Sequence, residues 1–316
     1  MNWSNLCSFD QLDTIGEGCH DLVILNQWYP LVSIDEIKPG IVHQTVLLET
    51  SVGFGVSING VLTVWKAILN KFPTGSELFP DQITDQLPVK TDFGYLWTTL
   101  GSDPKELFSI DEVHEPDRRT LNVGTLGIST SAPRAVENFL DMGHFPFVHP
   151  ETLGAEPHTE VVDYKVEIKN GEILATECKF FQPRASAVST DGVIADYIYR
   201  VPHPYCVLLY KSGGYDSNRL DVVGLFMQPI NQEKIKASMF FSYVDGVSTT
   251  AYLRRFGLGI LSQDKPILEN QIPKRLPLSS GEETPIRADR ASIVYRRWLN
   301  DLGVTYGVIA PTVRSS

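Results

Sequence analysis

Between residues 21 and 100, apolar and polar positions alternate in short runs broken by Gly, Pro and Asn, which is the period of half-buried strands. Val42-His43-Gln44-Thr45-Val46-Leu47-Leu48 is one such run, and it places His43 on a strand. Ser57-Ile58-Asn59-Gly60-Val61 predicts a hairpin, because Asn-Gly suits a type I′ turn. From residue 101 the pattern changes. Ser131 can cap a helix and Pro133 fits its first turn, so a helix is expected to run to Phe145 and to end at Pro146. Strands follow at 160–168, 173–182, 194–210, 220–230 and 234–244, then helices at 249–271 and 288–301. Strands in hairpin succession with helices on one face predict an α+β fold built on an antiparallel sheet. The expected organisation is an N-terminal extension at 1–20, a small β domain at 21–100 and a larger domain at 101–316.

Composition narrows the class. The chain has 316 residues, 42% of them apolar, and no apolar run approaches the length of a membrane span, so it reads as soluble and globular. Met-Asn-Trp-Ser-Asn-Leu-Cys at the start has neither the basic nor the apolar region of a signal peptide. Four scattered cysteines make no disulfide framework, and together these features point to a reducing cytoplasm. A net charge of −11 disfavours nucleic acid as a partner; spread along the chain, it reads as solubility rather than as a docking face. Gly53 and Gly55 do not form a nucleotide loop, since no helix follows them and a third glycine is missing.

The chemistry concentrates in Arg134–Gly154. Asn138, Asp141 and His144 are spaced by three and share one face of the predicted helix. An unbroken helix would aim His144 and His149 about 140° apart, but a turn after Phe145 brings both imidazoles back to one point. A single histidine in a stretch as apolar as Phe-Pro-Phe-Val reads as a hydrogen-bonded core residue. Two histidines with a carboxylate and an amide in register read as a metal site, because imidazole ligands need acceptors on their other nitrogen.

That spacing, followed by Pro-Glu-Thr-Leu-Gly, resembles the mononuclear iron segment of the Rieske non-heme iron oxygenases, in the group that includes vanillate and dicamba O-demethylases and methylxanthine N-demethylases. Asn26–Val32 resembles the family's opening strand, Phe93–Trp97 the end of its Rieske domain and Asp289–Leu299 its last helix. The resemblance implies a reduced Rieske-like β domain followed by a helix-grip-like catalytic domain. It also implies Fe(II) held by His144, His149 and one carboxylate, a face that leaves positions open for oxygen and substrate. Asp264, within Gln263-Asp264-Lys265-Pro266-Ile267-Leu268-Glu269, matches that carboxylate, although the residues alone read it as an exposed helical acid. Pro266 departs from the family pattern and is expected to kink the helix. Asn138 is expected near the open face. Asp141 is expected to carry electrons in from a neighbouring Rieske centre, to hold His144, or both. Of Phe180, Phe181, Met239, Phe240, Phe241 and Tyr243, alternate members are expected inward, one or two of them lining an aromatic pocket.

One part of the family pattern is missing. A Rieske cluster needs two Cys and two His, yet residues 33–92 contain no Cys and only His43. Lys71–Glu77, where a cluster loop would lie, reads as a turn. Cys7, Cys19 and His20 read as ordinary thiols and a surface imidazole. The expectation is therefore an oxygenase subunit without an iron–sulfur cluster, which hydroxylates an N- or O-methyl group and releases formaldehyde. Its electrons would come from an external, NADH-linked, Rieske-containing reductase. The substrate would be a small methylated aromatic, a methylxanthine first, and the assembly a homotrimer or a hetero-oligomer with other oxygenase subunits. Two rivals stand beside it: a non-catalytic assembly subunit, and a zinc hydrolase, which would need a general base near the metal.

Overall fold

The computed structural model describes residues 18–68, 71–183, 192–212, 219–279 and 281–311; Cys7 and the extension up to residue 17 lie outside them. After a short helix α1 (Leu22–Leu25) come β1 (Tyr29–Ser33), β2 (His43–Leu47), β3 (Thr50–Val56), β4 (Leu62–Lys66), β5 (Val89–Asp92) and β6 (Tyr95–Thr98). They form two three-stranded antiparallel sheets, ordered β1-β6-β5 and β2-β3-β4. The hairpin between β3 and β4 lies where expected, but its turn differs. Gly60 is left-handed at φ +84° while Asn59 is not, and the Gly60 amide donates to the Ser57 carbonyl. A type I′ turn would need both central residues at positive φ, so glycine instead closes the turn from the next position.

The main body is a seven-stranded antiparallel sheet. Its strands are β7 (Arg119–Ile128), β8 (Lys165–Lys169), β9 (Glu172–Gln182), β10 (Val193–His203), β11 (Cys206–Ser212), β12 (Leu220–Asn231) and β13 (Lys234–Tyr243), in the order β7-β13-β12-β11-β10-β9-β8. The expected strand at 194–210 is two strands. They turn at Pro204 and Tyr205, with His203 opposite Cys206, a break that Pro202 and Pro204 signal in the sequence. The expected strand at 160–168 begins only at Lys165. Edge strand β7 was not foreseen. Gly124 and Gly127 interrupt its apolar alternation, and an added Cβ on Gly124 would meet Leu258 at 3.0 Å.

The central strand β12 is buried on both sides, which explains its nearly unbroken apolar run. On one face Phe226 and Phe240 meet Trp28, Phe93, Tyr95 and Trp97 from the N-terminal strands, with Trp97 and Phe226 centroids 5.3 Å apart. The opposite face carries Val223, Leu225, Met227, Met239 and Phe241 under α2 (Ala132–Leu140), α3 (Phe145–Val148), α4 (Thr250–Asn270) and α5 (Arg290–Leu302). The site lies on that second face.

Helix α4 lies along β7 on the stripe Leu253, Gly257, Leu261, Asp264 and Leu268, spaced as a single buried helical face. Gly257 allows the close approach, since a Cβ there would meet Val123 Cγ1 and Phe241 Cζ at 2.7 Å. Gly259, two residues on, has nothing within 4 Å. The two glycines should therefore respond oppositely to alanine in urea unfolding. Gly257→Ala should lose about 1–2 kcal/mol, because stiff Val123 cannot yield. Gly259→Ala should gain up to about 1 kcal/mol from helix propensity. Shifts of the same sign would contradict the packing described.

Candidate metal centre

The ligand segment differs locally from the helix expected. Helix α2 ends at Leu140 rather than at Phe145, because Asp141 leaves helical geometry at φ −83°, ψ 116° and its Oδ1 accepts the Gly143 amide at 2.7 Å. His144 then begins the short helix α3, with Pro146 in its first turn instead of at a helix end. Asn138, Asp141 and His144 therefore do not share one helical face; the reversal comes at 141–144, before Phe145. Gly154 explains the end of the Pro-Glu-Thr-Leu-Gly stretch. A Cβ there would lie 2.6 Å from the Pro146 backbone nitrogen, so only glycine lets the chain pack back across α3.

The reversal brings His144, His149 and Asp264 together. His149 Nε2 lies 3.0 Å from Asp264 Oδ1 and 3.2 Å from His144 Nε2, and His144 Nε2 lies 3.4 Å from the same Oδ1. Donors about 2.1 Å from one ion would be separated by about 3.0 Å at right angles and about 3.4 Å at tetrahedral angles. The triangle spans that range. Among the described residues it is the one group of three His, Cys, Asp or Glu residues so arranged. His20 is exposed, Cys19 is buried, and neither approaches it.

Each imidazole is oriented from behind. His144 Nδ1 donates to Asp141 Oδ2 at 3.1 Å, and His149 Nδ1 donates to Gln263 Oε1 at 2.9 Å. Both acceptors lack a proton to give, so each neutral imidazole carries its proton on Nδ1 and turns the Nε2 lone pair to the triangle. Gln263 had no role in the sequence reading, although it precedes the carboxylate ligand. Burial alone would depress the His144 pKa, but the Asp141 and Asp264 carboxylates outweigh it and hold it up at about 9. Burial pushes Asp264 up, and the two imidazoles more than offset this, leaving its pKa below the usual carboxylate range. The site thus has the electrostatics of a cation-binding pocket.

Asp264 is buried, against the exposed position its residue type suggests. The rest of its motif fixes it in place. Lys265 Nζ donates to the Gly127 carbonyl at 2.8 Å and pairs with Glu269, whose Oε1 accepts the Ser129 amide at 2.9 Å. These contacts clip α4 to the chain just before α2, so both ligand-bearing segments share one anchor. Pro266 sits within α4, which continues past it to Asn270.

Two concavities meet at His144. The inner one touches all three members of the triangle. Asn138, Met239, Phe241, Tyr243, Tyr197 and Tyr199 are among its lining residues, and its volume is about 80 Å³. Of the aromatics read from the sequence, Phe241 and Tyr243 line it, Phe180 packs edge-on against Phe145 with centroids 5.5 Å apart, and Phe240 faces the other side of the sheet. The outer groove, about 460 Å³, touches His144, Asn138 and Asp141 from the solvent side. Beside it Arg134 and Arg296 bridge Glu137 and Glu283. The inner cavity is the smaller, yet it alone combines apolar walls with the open side of the triangle.

Comparison with known proteins bears on the family and the fold. Residues 128–304 match the vanillate O-demethylase oxygenase C-terminal domain. The chain is 41% identical over 286 residues to a probable methylxanthine N7-demethylase, NdmC, of Pseudomonas sp. (strain TJI-51), covering 90% of this chain and 96% of that protein. It is 27% identical over 220 residues to the methylxanthine N1-demethylase NdmA of Pseudomonas putida, covering 69% of this chain and 61% of that protein. In structure it is similar to Pseudomonas putida CBB5 NdmA with caffeine, at a TM-score of 0.71 and 19% identity over 88% of this chain and 90% of that one. Dicamba monooxygenase bound to 3,6-dichlorosalicylic acid shares the fold at a TM-score of 0.67 and 15% identity, over 88% and 97% of the two chains.

The geometry sets an order of effects on metal content, measured after anaerobic loading with Fe(II). His144→Ala should lose most of the bound iron. Gln263→Leu removes no ligand but frees the His149 ring, so affinity should fall about 10- to 100-fold. Full iron content in His144→Ala would refute the triangle as the metal site.

Proposed function

The chain belongs to the Rieske non-heme iron oxygenases, and from that premise we propose that it is the oxygenase subunit of a methylxanthine N-demethylase, with 7-methylxanthine as its substrate. The observation that carries this reading is a two-histidine, one-carboxylate face opening onto an aromatic-walled cavity. It is supported by the 41% identity to a probable N7-demethylase.

His144, His149 and Asp264 would hold Fe(II), and their chemistry fits it. When bound, that iron supplies dioxygen activation at its open positions. The net change is R–CH₃ + O₂ + 2e⁻ + 2H⁺ → R–CH₂OH + H₂O. With R bonded through its ring nitrogen, the N–CH₂OH product then breaks its C–N bond as the hydroxyl proton passes to that nitrogen, R–CH₂OH → R–H + CH₂O, which releases formaldehyde. The chain's contribution is positional. Asn138 stands beside His144 at the cavity, and the aromatic wall excludes water and holds the ring so that its methyl faces the triangle. Asp141 fixes the His144 tautomer through Nδ1.

We place residues 21–100 as a reduced Rieske-like domain without a cluster. The sequence from 33 to 92 has no thiolate to offer. Its single histidine, His43, starts β2 and stacks on Phe54 with centroids 5.3 Å apart. The two electrons must then come from an external Rieske-containing, NADH-linked reductase. The outer groove is the docking face this reading selects. Asp141 is about one-third exposed there while bonded to His144, and Ile272 beside it is 91% exposed. A histidine ligand of the donor's cluster would meet the remaining lone pairs of the Asp141 carboxylate, whose oxygens already accept from Gly143 N and His144 Nδ1.

Turnover should therefore need two proteins. Iron-loaded chain, 7-methylxanthine and a separate Rieske reductase with NADH should release one formaldehyde per substrate consumed, and omitting the reductase should abolish it. Asp141→Asn keeps shape and an acceptor oxygen but loses the charge. Its iron content and substrate affinity should persist while turnover falls about 10-fold or more. Normal turnover in Asp141→Asn would remove Asp141 from the electron path. A Rieske-type visible absorption in the isolated chain would refute the cluster-free assignment.

A further inference from the structure

Two donors on the wall of the inner cavity have no evident task in the free protein. Gln182 ends β9 and Tyr199 lies on β10, both on the sheet face beneath the helices, and each is 1% exposed. Neither Gln182 Nε2 nor Tyr199 Oη has a hydrogen-bond partner among the described residues. Both side chains line the cavity that contains the triangle. Tyr197 Oη donates to Gln182 Oε1 at 3.1 Å, which occupies the amide oxygen and leaves the NH₂ group as the end without a partner.

A buried donor without a partner destabilises the fold. Two on one apolar wall make sense where a ligand completes them. We infer that Gln182 Nε2 and Tyr199 Oη are specificity-determining donors, which hydrogen-bond to acceptor atoms of a carbonyl-bearing heteroaromatic ring and thereby choose which N-methyl group faces the metal. This rests on the demethylase reading above. A ring with carbonyl oxygens satisfies both donors in its own plane, whereas a hydrocarbon or simple aryl ether leaves at least one buried and unpaired. Phe241 and Met239 supply contact area without direction, so orientation falls to the polar groups of the lining, of which Gln182 Nε2 and Tyr199 Oη are the two buried without a partner. The free cavity is about 80 Å³, below the roughly 300 Å³ of ordinary ligand pockets, so a bicyclic ring must turn a lining side chain aside as it enters.

The test has a binding arm and a melting arm. Binding is measured anaerobically, at equilibrium, with 7-methylxanthine and with 1-methylindole, an N-methyl bicyclic ring that has no in-plane acceptor atom. The variants are Tyr199→Phe, and Gln182→Leu in a Tyr197→Phe background, so that no hydroxyl is orphaned; Tyr197→Phe alone is the control. Each donor deletion should weaken 7-methylxanthine about 10-fold or more and not weaken 1-methylindole. Without ligand, Tyr199→Phe should melt at or above the wild-type temperature, since it removes an unpaired buried hydroxyl. Unchanged 7-methylxanthine affinity in both deletions would overturn the inference, as would a clear fall in the melting temperature of Tyr199→Phe, the mark of a structurally paired hydroxyl. A wild type that binds no methylxanthine would instead overturn the substrate reading. The melting arm needs no ligand, and a fall there would still overturn the donor pair.

Discussion

Three electron-pair donors, two imidazole nitrogens and a carboxylate oxygen, stand within 3.0–3.4 Å of one another on the covered face of a sheet. Such a group repels itself unless a proton or a metal cation sits among it, so the surrounding structure has to aim the donors at one point. Asp141 and Gln263 do this directly, by taking the outer N–H of each imidazole. The Lys265 and Glu269 contacts do it indirectly, since they tie the helix bearing Asp264 to the segment that leads into α2. Gly154 and Gly257 are the spatial conditions of that arrangement. One lets the chain cross behind α3 and the other lets α4 rest on the sheet.

The same triangle divides the molecule into two chemical sides. Inward, His144 and His149 face aromatic and aliphatic walls from four strands, a dry setting in which a methyl group can be held close. Outward, the Nδ1 of His144 leads through Asp141 to a groove bordered by ion pairs and an exposed isoleucine. Substrate and electrons can thus approach one centre from opposite directions. That separation suits an oxygenase whose reductant is another protein.

Much of this was legible in the sequence because it is written in patterns that the backbone enforces. The strand succession of the main sheet, the closing helices and the pairing of His144 with His149 follow from period and spacing. Asp264 is instructive. Taken as a residue type it reads as exposed, yet it falls on the stripe of Leu253, Gly257, Leu261 and Leu268, which by itself predicts a buried carboxylate. The early end of α2 was not legible, because a side-chain bond from Asp141 to the Gly143 amide wins over helix continuation. Edge strand β7 was hidden by glycines that make room for α4, whereas the β10–β11 turn is signalled by Pro202 and Pro204 between two long apolar runs. Gln182 left a faint signal: it is a polar residue at an inward register after Cys178 and Phe180.

The central claim is that one iron ion completes the triangle. Anomalous diffraction at the iron edge, from crystals loaded anaerobically with Fe(II), tests it most directly. The account predicts a single peak per chain, within about 2.0–2.3 Å of His144 Nε2, His149 Nε2 and an Asp264 oxygen. A peak held by other residues, or none at the triangle in crystals whose iron content is stoichiometric, would contradict it.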